Sequence, residues 1–86
     1  MPKPFQLMIV TPDGDPLEVQ VTSVVLPGAA GSLGVQAGHE PWTVLLKAGR
    51  LTFETGGAWE HVRILSGVAQ IGPESTVVVA DRARGS

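Results

Sequence analysis

The sequence predicts an all-β fold, an antiparallel sandwich or flattened barrel. Three observations carry that prediction: breakers too frequent for helices, apolar residues alternating with polar ones between them, and turn chemistry recurring about every 8–12 residues. Eleven glycines and seven prolines punctuate 86 residues. No segment therefore combines helical length with an apolar face repeating at i, i+3, i+4 and i+7. About eight to ten short strands fit what remains.

Along the chain, Phe5, Leu7 and Ile9 set against Gln6 read as a half-buried strand. Pro12-Asp13-Gly14-Asp15-Pro16 turns it into a hairpin, with proline presetting φ and glycine free to take positive φ. Leu17, Val19 and Val21 alternate with Glu18, Gln20 and Thr22, and Leu51 and Phe53 with Arg50, Thr52 and Glu54. Between these pieces Leu26 to Pro41 holds Gly28, Gly31, Gly34 and Gly38, and reads as a shaped surface loop. A phosphate cradle would need a helix after the glycines, and only strands follow. Thr55-Gly56-Gly57-Ala58 suits a two-residue hairpin turn with positive φ at its centre, and Gly72-Pro73-Glu74-Ser75 marks another reversal. Trp59 to Leu65 and Thr76 to Ala80 are strands. Val77-Val78-Val79, apolar at every position, reads as covered on both faces.

The length holds one core, so residues 1–84 form a single domain with 85–86 as a tail. A composition 43% hydrophobic and 16% charged argues against disorder. No cysteine is present, so neither a disulfide frame nor a thiolate metal site exists, and a cytoplasmic setting is the default. Met1-Pro2-Lys3-Pro4 lacks a signal core, and no apolar run is long enough to span a bilayer. Any membrane link runs through another protein. Scattered basic residues and a net charge of −2 leave no footprint for nucleic acid.

Leu26-Pro27-Gly28, Gly31-Ser32-Leu33-Gly34-Val35 and Gly38-His39-Glu40-Pro41 resemble the signature of ATP synthase epsilon subunits. The likeness continues in register through Leu46 to Leu51, Gly56-Gly57, Leu65 to Ala69 and Thr76 to Asp81, and includes the opening Leu7 to Gly14. What the resemblance implies is an epsilon N-terminal sandwich of two roughly five-stranded sheets. It would be a non-catalytic central-stalk subunit coupling gamma to the c ring of a proton- or sodium-translocating rotary ATP synthase, peripheral on the cytoplasmic face of the bacterial inner membrane. The family's C-terminal helical hairpin, which can inhibit the motor, has no counterpart in these residues. Asp81-Arg82-Ala83-Arg84 reads as a solvated, frayed tail and not as that hairpin's ATP-binding motif.

Carried over by position, the c-ring interface falls on Ser32, Gly38, His39, Glu40, Pro41 and Trp42, and the gamma interface on Thr11 and His39. Ser32 departs from an acidic residue common in the family, and Glu40 stands where a small residue is usual. Trp42 replaces an aliphatic residue and reads either as interface anchor or as core. Trp59, on an alternating strand, reads as packed or partly buried. No catalytic residue, cofactor or metal is expected: His39-Glu40 and Glu60-His61 do not easily converge, and Ser66 lacks a nucleophile elbow. The competing readings are a free-standing β-sandwich ligand-binding or adaptor module and a cupin-like metalloenzyme. The latter wants clustered histidines.

Overall fold

Period-two alternation becomes burial in the first strand: Phe5, Leu7 and Ile9 are buried while Gln6, Met8 and Val10 are half-exposed. A computed structural model describes residues 3–12 and 14–82 of the chain. Its strands are β1 (Phe5–Val10), β2 (Leu17–Val21), β3 (Ser23–Gly28), β4 (Gly31–Val35), β5 (Trp42–Leu46), β6 (Gly49–Thr55), β7 (Ala58–Ile71) and β8 (Ser75–Arg82). No helix occurs among the described residues.

The fold is the expected all-β sandwich, and its layers share strands as in a flattened barrel. The strands form one hydrogen-bonded order, β2-β1-β8-β7-β5-β3-β4, with β6 joining β3 to β7. It folds into two layers because β7 serves both. Residues 58–64 pair with β6, whereas residues 67–71 pair with β5 and β8. A bulge between Ile64 and Ser66 makes the switch. Before it Val62 and Ile64 face the core, and after it Ala69 and Ile71 do, so the inward parity changes. The strand expected over Trp59 to Leu65 thus continues to Ile71, 14 residues from Ala58.

The pairing is antiparallel except where β1 runs parallel to β8, with Leu7 opposite Thr76 and Ile9 opposite Val78. Alternation marks a strand but carries no direction. A short turn forces antiparallel neighbours, whereas β1 and β8 are separated by most of the chain and pair freely either way. Between the layers lie Leu7, Ala69 and Val78 from one side and Val24, Leu26, Leu51, Phe53 and Val62 from the other.

Two turn expectations are met. Gly56 and Gly57 take φ of 58° and 81° at the β6–β7 hairpin, and Gly72 N–H donates to the Ser75 carbonyl at 2.8 Å where β7 returns as β8. The Leu26–Pro41 segment, expected to be a loop, is mostly a hairpin: β3 pairs β4 from Val24 opposite Val35 to Gly28 opposite Gly31. Glycine works there as a close-approach residue, since a Cβ on Gly28 would stand 2.5 Å from the Gly31 carbonyl oxygen. Val77-Val78-Val79 is covered on one face and not two, because Val78 is buried and Val79 exposed. Asp81 and Arg82 are paired in β8, opposite Ser66 and Ile64, and not frayed. The remaining tail, residues 83–86, lies outside the described residues.

Candidate partner-binding surfaces

One end of the sandwich is built by residues 36–41 and their neighbours. Gly38 takes a φ of 85°, which turns the chain, and its N–H donates to the Pro73 carbonyl at 2.8 Å. The segment is thereby tied to the β7–β8 turn. His39 follows, and its Nδ1 lies 2.8 Å from the Glu40 carbonyl oxygen. A carbonyl only accepts, so Nδ1 is the donor in this contact. The imidazole stacks on Trp42, with centroids 6.1 Å apart and planes within 9°. That offset face-to-face arrangement holds both rings without a hydrophobic pocket.

Trp42 is 55% exposed, which removes the core reading. It lines a shallow, mainly apolar depression of about 450 Å³ with Ser32, Leu33, Val44, Leu45 and the β3–β4 turn. Ser32, His39 and Trp42 therefore gather at one place, with Glu40 and Pro41 exposed beside them. Thr11 sits elsewhere. The Gln6 N–H donates to the Glu74 carbonyl, which places the start of β1 near the β7–β8 turn. Thr11 follows the other end of β1, about 17 Å further on at about 3.3 Å per residue. Thr11 and His39 can touch one extended partner but do not form one compact site.

A second surface, which shares Leu45 with that depression, was not picked out from the sequence. Leu45, Val68 and Val79 are 66%, 36% and 53% exposed and stand side by side across β5, β7 and β8, with Val10 of β1 next in register. Each belongs to a run apolar at consecutive positions: Leu45-Leu46, Val68-Ala69 and Val77-Val78-Val79. That two-faced pattern was the available signal. It asks for cover on both faces, and the chain's own core covers one.

The model of the ATP synthase Delta/Epsilon chain beta-sandwich domain matches residues 4–86. The chain belongs to this family. Its relatives include the ATP synthase epsilon chains of Anaeromyxobacter sp. (strain Fw109-5), 43% identical over 77 residues, and of Helicobacter pylori (strain Shi470), 38% identical over 79. The alignments cover 90% and 92% of this chain but 58% and 64% of those proteins. The chain thus spans about three fifths of the curated relatives it matches. The fold is shared with a chain of the Euglena gracilis mitochondrial ATP synthase OSCP/F1/c-ring structure, at a TM-score of 0.79 and 24% identity, covering 93% of this chain and 52% of that one. A chain of the Tetrahymena thermophila mitochondrial ATP synthase central stalk/c-ring structure gives 0.75 at 10% identity, covering 93% and 65%.

Against this epsilon-type fold the remaining chemistry is sparse. No group of three or more metal-ligating side chains occurs among the described residues. Ser66 and Asp81 are cross-strand partners, yet no side-chain hydrogen bond joins either to His39 or His61 among the described residues. Trp59, expected to be packed or partly buried, is 56% exposed. It pairs with Glu54 near the tip of the β6–β7 hairpin, where its outward position has no covering layer.

Proposed function

We propose that this epsilon-type domain, residues 1–84, is a non-catalytic rotor element: part of the central stalk of a proton- or sodium-translocating rotary ATP synthase, held by gamma and seated on the c ring. The open apolar row Leu45–Val68–Val79 carries the reading. Three large aliphatic side chains in register on a hydrogen-bonded layer form a rigid apolar contact, and an exposed patch of this kind marks a protein interface. Close packing behind it resists deformation, which a torque-bearing joint requires.

In this reading gamma covers the row and extends toward Thr11 and His39. The c ring meets the end bearing Ser32, Gly38, His39, Glu40, Pro41 and Trp42, with Trp42 as anchor. The domain reaches the cytoplasmic face of the bacterial inner membrane only through that ring. The names of the two relatives described above, both ATP synthase epsilon chains, support it. Co-purification with a gamma subunit and c ring tests it, and Leu45→Lys with Val79→Lys should weaken capture at least about tenfold, about 1.4 kcal/mol. A folded monomer that ignores gamma at several salt concentrations would instead favour a free-standing sandwich module.

Glu40 takes over the charge that Ser32 lacks. Glu40 is exposed and two residues before Trp42, which lines the same depression as Ser32, so a basic loop of the ring can reach it. Charge swaps between Glu40 and such a loop should couple in a double-mutant cycle; additivity within about 0.5 kcal/mol sinks the idea.

A further inference from the structure

The outward face of the β6–β7 hairpin holds two arginines directly opposite each other. Arg50 and Arg63 are cross-strand partners, both exposed. Side chains so placed have Cβ atoms about 5 Å apart, and like charges there repel. Neither guanidinium makes a hydrogen bond with a described residue.

The carboxylates of the same hairpin do not balance the pair. Glu54 shares the outward face of β6, but its Oε1 accepts from the Thr22 hydroxyl at 3.1 Å. Glu60 has the opposite parity on β7 and stands across from buried Phe53. His61, opposite Thr52, lies between Arg63 and Trp59 on the same outward row. The chain as a whole is net −2, so this pair of adjacent arginines is a local excess of positive charge. An unbalanced arginine pair with an exposed indole about 13 Å along the same outward row has the composition of a protein interface hot spot, where Trp and Arg lead.

We propose that this face docks an acidic segment of a partner polypeptide, with a carboxylate between the Arg50 and Arg63 guanidiniums and an apolar side chain on Trp59. The fork of a guanidinium matches a carboxylate through two parallel hydrogen bonds, and a second arginine across the strand doubles the charge facing it. Trp59 adds apolar contact that a bare anion does not use. The surface belongs to the β6 layer, whereas Leu45–Val68–Val79 belongs to the β8 layer, so the proposal stands independently of the stalk reading.

The test is a titration of the isotope-labelled chain with a short synthetic peptide alternating Glu and Leu, followed by backbone and indole resonances at low and high salt. Saturable shifts centred on Arg50, Thr52, Trp59, His61 and Arg63 are expected. Arg50→Gln with Arg63→Gln should weaken binding at least about tenfold, and added salt should weaken it further. Both substitutions are on exposed positions, and a dispersed spectrum verifies that the variant is folded. The proposal is overturned if no shift saturates, if the double variant binds as the parent does, or if an alternating Lys and Leu peptide binds equally well. It is also overturned if inorganic phosphate matches the peptide, or if vesicles with anionic headgroups bind and the peptide does not.

Discussion

Thr76 is a fully buried side chain whose hydroxyl finds no hydrogen-bond partner among the described residues. It stands in β8 opposite Leu7 and Ile71, in otherwise apolar company. An unsatisfied buried hydroxyl costs free energy that an isosteric methyl does not, so Thr76→Val should raise stability by about 1 kcal/mol in a denaturant titration. Leu7→Ala, at a fully buried position, should lower it by about 2–5 kcal/mol on the same assay. Leu7 was legible as core from its alternation. The His39–Trp42 stack was not, because spacing says nothing of ring planes; it depends on Gly38 turning the chain while bonded to Pro73.

For the elements, glycine separates what the sequence shows from what pairing adds. Gly56-Gly57 declared a tight turn, and Gly57 has a φ of 81°. Gly57→Ala should therefore destabilise by about 1–2 kcal/mol, as left-handed backbone does for an L side chain. Gly28 lies in an extended strand, yet a side chain there would press on the Gly31 backbone. Gly28→Ala should cost about 1–3 kcal/mol, while Gly34→Ala, with nothing within 4 Å, should change stability by no more than about 0.5 kcal/mol. Thermal unfolding of the three variants compares them directly. The Gly-rich segment read as loop because glycine density looks alike in a turn and in a strand pressed against a neighbour's backbone.

Across the whole molecule, the sandwich leaves two outer faces of different character: an aliphatic row on the β8 layer and an Arg–Trp row on the β6 layer. Val79→Glu puts a charge on the first without touching the core. Its effect on unfolding should stay within about 1 kcal/mol, whereas under the proposed stalk role capture of gamma should fall at least about tenfold. A chelator should leave the melting temperature unchanged, since no group of three or more metal ligands occurs among the described residues. A large loss would return the metal reading.

What the sequence determined by itself was local: the all-β class, most strand positions, the β6–β7 and β7–β8 turns, and the family likeness. Period-two burial, proline geometry and glycine φ act over a few residues and leave their mark in order along the chain. Only the tertiary structure decided the parallel β1–β8 pair, the parity switch at the bulge, and which apolar face stays open. It also set Arg50 against Arg63, 13 positions apart in the chain numbering. Those features depend on which strands meet and in what register, a property of pairs that no single segment carries.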